Sequence, residues 1–89
     1  MNERAYLALC AFIDVRHDLN MLTFSCTLSE EQYAQLFDKT MENVRRLGER
    51  VAAALEKPVS ECSDLVIQLI QDENQAKSFI DRYGLALDC

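Results

Sequence analysis

The side chains in this sequence that could do chemistry are few: one histidine (His17), four cysteines (Cys10, Cys26, Cys62 and Cys89) and several adjacent carboxylates. A general acid or base must sit within hydrogen-bond reach of the proton it moves. His17 has no serine or cysteine placed beside it as a nucleophile, and the polar run from His17 to Asn20 gives it the reading of an exposed turn residue.

The cysteines are scattered, with none of the C-x-x-C spacings of zinc or redox sites, so they are expected reduced. A thiol in the first turn of a helix can be activated by the dipole, which draws attention to Cys62. Its spacing to Val66 and Leu69 nevertheless places it on an apolar stripe, where cysteine acts as a small hydrophobe. Cys10 and Cys26 read as packed in a reduced core, in preference to a disulfide or a shared metal, and Cys89 as an exposed thiol at the chain end.

Adjacent acids at Glu30 and Glu31, and at Asp72 and Glu73, fall at expected helix starts, where the dipole favours negative charge without any catalytic role. With only Gly48 and Gly84 there is no glycine cradle for phosphate, and no Rossmann, Walker, EF-hand or H-E-x-x-H pattern occurs. No catalytic residue, cofactor or metal is expected, and the chain reads as non-enzymatic.

The elements that would position any site begin with the alternation of Leu22, Phe24, Cys26 and Leu28 with Thr23, Ser25 and Thr27, which predicts a half-buried strand. Residues 6–15 are apolar at nearly every position and fit a strand buried on both faces or a short helix. A strand is preferred because residues 17–20 have hairpin length and the strand after them needs a neighbour. A hairpin centred on Asp18 pairs Phe12 with Phe24 and Cys10 with Cys26. Its first strand is apolar on both faces, so a second chain or a strand at residues 85–87 should pair with it.

Ser29 with Gln32 forms a capping box, opening an amphipathic helix expected over 29–57 and stopped by Pro58. Phe37, Met41, Val44, Gly48, Val51 and Leu55 make a heptad-like stripe, and Glu42 with Arg46 and Arg45 with Glu49 are i, i+4 pairs on the exposed side. Gly48 within that stripe suggests a close helix crossing. Ser60 is expected to cap a second helix bearing Cys62, Leu65, Val66, Leu69 and Ile70. A further face of Ala76, Phe79, Ile80 and Tyr83 follows, closed by Gly84, and one bent helix or two short ones would both fit. The expected fold is α+β, a single domain over 1–89 of order ββαα or ββααα, with the hairpin packed on the long helix and the sheet extended by dimerisation.

At 89 residues the chain has room for one core. The net charge of −6 argues against direct binding to nucleic acid or an anionic membrane, both of which need a basic face. Residues 1–57 carry nine acids against seven bases, residues 58–89 six against two, so the acidic surface is expected late in the chain, at Glu61, Asp64, Asp72, Glu73 and Asp81. The apolar run 5–13 could suggest a secretory leader, but Glu3 offsets Arg4 and charged residues follow Ile13. A cytoplasmic location is expected.

A helix of some 28 residues spans about 42 Å, longer than so small a domain is wide, so part of its stripe should overhang. These features predict a homodimer with Leu9, Ile13, Phe37, Met41, Val44, Gly48, Val51 and Leu55 at its interface. The function expected is a dimeric, non-catalytic regulator or inhibitor that presents its acidic face to a basic partner protein, one version being a nucleic-acid mimic. The alternative class is a small-molecule binder or enzyme with a pocket between sheet and helices lined by Phe12, Phe24, Tyr33 and Phe37.

Overall fold

A computed structural model describes residues 2–24 and 27–86, and within them all regular structure is helical. The order is α1 (Glu3–Phe24), α2 (Glu30–Leu55), a single 3-10 turn (Val59–Glu61), α3 (Ser63–Gln71) and α4 (Glu73–Tyr83).

The expected α+β fold is therefore corrected to a helical bundle, since residues 6–15 of the first expected strand and 22–24 of the second lie in α1. Asn2 opens α1, its Oδ1 accepting from the Ala5 N–H at 2.8 Å. No glycine or proline interrupts the helix through residue 24, so residues 17–20 are one of its turns and not a hairpin loop. Ala8, Leu9, Phe12 and Val15 are buried at spacings of 1, 3 and 3, a helical face. Residues 6–15 are apolar nearly all round because α1 is packed on by α2, α3 and α4 together. Thr23, read as a strand residue, donates its hydroxyl to the Leu19 carbonyl one helical turn back. Cys26, and with it the proposed pairing to Cys10, lies outside the described residues, as do Leu87 of the third-strand candidate and Cys89. Dimerisation through a sheet edge has no basis among the described residues.

The capping box of α2 is formed: Gln32 N–H donates to Ser29 Oγ at 3.2 Å, and Ser29 N–H donates to Gln32 Oε1 at 3.0 Å. The helix ends at Leu55, two residues earlier than expected. Glu56 turns left-handed (φ 56°) and Lys57 N–H reaches back to the Ala52 carbonyl, ahead of Pro58. Ser60 lies inside the 3-10 turn and caps nothing; α3 starts three residues later. Asp72 divides α3 from α4. Its backbone is extended, and its Oδ1 accepts from the N–H groups of Asn74 (2.9 Å) and Gln75 (3.3 Å). Gly84, at φ 66°, ends α4.

The helices α1 and α2 run antiparallel: Asp18 pairs with Lys39, while Ala11 and Val15 lie against Asn43 and Leu47. The pair α3 and α4 covers only one end of this hairpin. The core joins Leu9, Phe12 and Val15 of α1 with Leu47, Val51 and Ala52 of α2, Cys62, Val66, Leu69 and Ile70 around α3, and Ala76, Phe79 and Ile80 of α4. At 1.5 Å per residue α2 is about 39 Å long, which matches the 40 Å long axis of the molecule.

Candidate functional site

Along α2 the apolar stripe changes character. Leu47, Gly48, Val51 and Ala52 are buried and Val44 and Leu55 half-buried, Leu47 against α1 and Val44 and Gly48 beneath the 3-10 turn and α3. One and two turns toward the N-terminus the stripe continues with no covering element among the described residues, leaving Tyr33, Phe37 and Met41 exposed at 45%, 44% and 38%. The Tyr33 and Phe37 rings stack at a centroid distance of 6.4 Å. Thr40 is the one buried residue in the first half of α2, its hydroxyl donating to the Leu36 carbonyl at 2.7 Å.

Two flanks of α2 can be told apart. Lys39, Asn43 and Arg46 lie on the side where Asp18, Asp14 and Ala11 of α1 meet them. Val44 and Gly48 lie on the other, against Val59, Val66 and Ile67. Phe37 and Met41 belong to this second flank, seven and three residues before Val44, so the bare apolar surface extends a face already used for packing.

The expected interface residues separate accordingly. Leu9, Gly48 and Val51 are covered by the chain's own helices, Ile13, Val44 and Leu55 are half-covered, and Phe37 and Met41 face outward. A Cβ built on Gly48 would meet Val59 Cγ1 at 3.9 Å and Val66 Cγ2 at 4.0 Å, ordinary contacts, so the crossing there is not close enough to require glycine. Sequence reading missed Met21 and placed Phe24 in a different pocket. Together with Ile13, Arg16, His17 and Asn20 they line an open groove on α1, and the helical spacing of 13, 17, 20 and 24 carried that signal. Phe24 is nine residues beyond Val15, half a turn round the helix, and so points away from α2.

No catalytic constellation is assembled around the titratable groups described. His17 stands on α1 in that open groove, exposed, and not in a turn. Cys62 is buried in the core and Cys10 half-buried on α1. Cys10 hydrogen-bonds the Tyr6 side chain and pushes the phenol above its usual range. Among the described residues, no three of His, Cys, Asp and Glu are grouped to hold a metal ion. The aromatic set expected around a small-molecule pocket is dispersed: Phe12 lies in the core, Phe24 on the α1 groove, Tyr33 and Phe37 on the outer stripe.

The acids of the late chain are spread over the elements that cap the other end of α2. Glu61 is in the 3-10 turn, Asp64 and Glu73 in the first turns of α3 and α4, Asp72 at their junction and Asp81 near the end of α4. All but the half-buried Asp72 are exposed. On α2, Arg45 is held between Glu42 and Glu49, its Nη1 2.6 Å from Glu49 Oε1 and its Nε 3.1 Å from Glu42 Oε2. The expected pairing of Glu42 with Arg46 is replaced by this one, which keeps the Glu42 carboxyl below the usual glutamate range.

Set against family models, curated proteins and solved structures, the chain matches none. No helix among the described residues is long and apolar enough to cross a membrane.

Proposed function

We propose that this chain is a non-catalytic protein-interaction module, a small acidic regulator whose recognition surface is the uncovered half of the α2 stripe. One observation carries the reading: a single apolar face is buried from Leu47 to Ala52 and bare at Tyr33, Phe37 and Met41. A contiguous apolar face left on a helix that is otherwise polar outside marks a docking surface more often than scattered exposed residues do. The net charge of −6 directs the surface toward protein, because nucleic acid and anionic lipid would be repelled.

The test uses an extract of the cells that make the protein. Phe37→Glu places a charge on the stripe without touching the core. The wild-type chain is expected to elute in an assembly larger than a monomer, and Phe37→Glu to elute as a monomer with unchanged thermal unfolding. A wild type that elutes alone in the extract overturns the reading.

A further inference from the structure

We infer that the groove between the C-terminal end of α2 and the α3 and α4 pair binds a medium-chain carboxylate, its alkyl chain on an apolar wall and its anion on Arg82. Leu55, at the α2 edge of the groove, lies eighteen residues and about 27 Å along the helix from Phe37. The site is thus separate from the bare stripe and does not depend on the interaction reading.

Three helices build the groove. Leu55 ends α2, Leu65 and Leu69 stand one turn apart on α3, and Phe79 comes from α4. Leu69 and Phe79 are buried and close the floor, whereas Leu55 and Leu65 are half-buried and form the wall that an apolar chain would cover. The cavity volume of about 440 Å³ falls within the range of small-molecule sites. Its polar side chains come from α4 alone, where Gln75, Ser78 and Arg82 share a face at spacings of 3 and 4.

The charge of this rim sets the chemistry of the ligand. Residues 58–89 hold six acids against two bases, yet among the described residues no acid lines the groove and Arg82 is its one charged side chain. Asp72 caps α4 and accepts from Gln75 Nε2 at 3.3 Å, which keeps its charge at the far end of the rim. Asp81 lines a different cavity, beside Asn2 and Ala5. None of the ion pairs resolved among the described residues uses Arg82. Its guanidinium lies 5.5 Å from the centroid of the Tyr83 ring, which in turn packs on Phe79 at 4.5 Å. Contact with a ring face positions the guanidinium without consuming its N–H donors, and a carboxylate can take two of them in parallel. A cationic ligand would be repelled by Arg82, and a neutral one would leave it without a counterion.

Titration of the purified full chain with octanoate, followed by two-dimensional amide NMR, tests the inference, with octanol and octylammonium as probes of equal chain length. Octanoate is expected to saturate with a dissociation constant of about 1 mM and to shift the amides around Leu65, Ser78 and Arg82. Octanol should bind several-fold more weakly and octylammonium more weakly still. That order is opposite to the one that nonspecific attraction to a chain of net charge −6 would impose. Arg82→Gln should weaken octanoate about tenfold and leave octanol unchanged, and Arg82→Lys should recover part of the loss. Ser78→Trp, filling the groove from an exposed position, should abolish binding of both, with circular dichroism confirming that the variant stays helical. Lys77→Gln, on α4 outside the groove, should alter neither. The inference is overturned if octanoate gives no saturable shift at these residues, if octanol or octylammonium binds as tightly, or if Arg82→Gln binds octanoate as well as the wild type does.

Discussion

Lys39 Nζ lies 3.7 Å from Asp18 Oδ2 across the antiparallel hairpin, and the two ends of this pair differ: the Asp18 side chain is mostly covered, whereas Lys39 is largely in solvent. It is the one ion pair between α1 and α2 among those resolved in the described residues, on the flank opposite the bare stripe. Because one partner is solvated, its contribution should stay below about 1 kcal/mol. Lys39→Gln is expected to lower the melting temperature by a few degrees at low salt, and high salt should erase the difference. A loss unchanged by salt would show that the lysine acts through packing instead.

Gly48→Ala should stabilise the protein. The site is helical, and the added methyl would meet Val59 and Val66 at ordinary contact distance. Replacing glycine within a helix is expected to gain about 0.5 to 1 kcal/mol. Chemical denaturation measures this as a higher midpoint with an unchanged slope.

Glu56 ends α2 in a left-handed conformation that a side chain disfavours. Glu56→Gly should therefore raise stability by several tenths of a kcal/mol to about 1, and thermal unfolding reports the gain. A decrease would mean that the Glu56 side chain has a role its exposed position does not reveal.

Leu47 is buried where α1 and α2 meet, and Leu47→Ala should remove about 2 to 5 kcal/mol. For a chain this small that is a fall of about 10 °C or more in melting temperature. Met41→Ala, on the same helix but exposed, should change monomer stability little.

Arg45 holds the Glu42 carboxyl below the usual glutamate range, so this ion pair favours the fold above that range and stops doing so as pH falls through the lowered value. The difference in melting temperature between wild type and Arg45→Gln should accordingly be largest near neutral pH and vanish in acid. A gap that widens in acid would contradict the pairing.

How far the fold was legible depended on how local its determinants are. The Ser29 capping box and the Gly84 cap involve groups within a few residues of one another, and each is formed where the residue types place it; the end of α2 was legible only to within two residues, since it stops at Leu55 with a left-handed Glu56 and not at Lys57. The break at Asp72 was visible as a fresh cap, yet nothing in the spacing of Leu69, Ile70, Ala76 and Phe79 decided between a bend and a true interruption. The extended backbone of Asp72 and its two accepted N–H bonds decide it.

Residues 6–24 were misread because periodicity reports burial on one side only. Val15 faces α2, while Leu9 and Phe12 join the core completed by α3 and α4, and a helix packed on more than one side loses the contrast that separates period 3.6 from period 2. The alternation from Leu22 to Leu28 then suggested a strand, whose residues 22–24 instead form the last turn of α1.

The sequence by itself determined the long amphipathic α2, its Ser29 capping box and the excess of acid, all of which follow from residue types at short spacing. Tertiary structure alone decided that α1 is a helix and that the 3-10 turn and α3 cover the α2 stripe around Gly48 and stop short of Phe37. The physical reason is that a stripe states only that a face is apolar. Which part of it is kept from water depends on where distant elements of limited length come to lie, and α3 and α4, at 9 and 11 residues, are too short to reach along the 26 of α2.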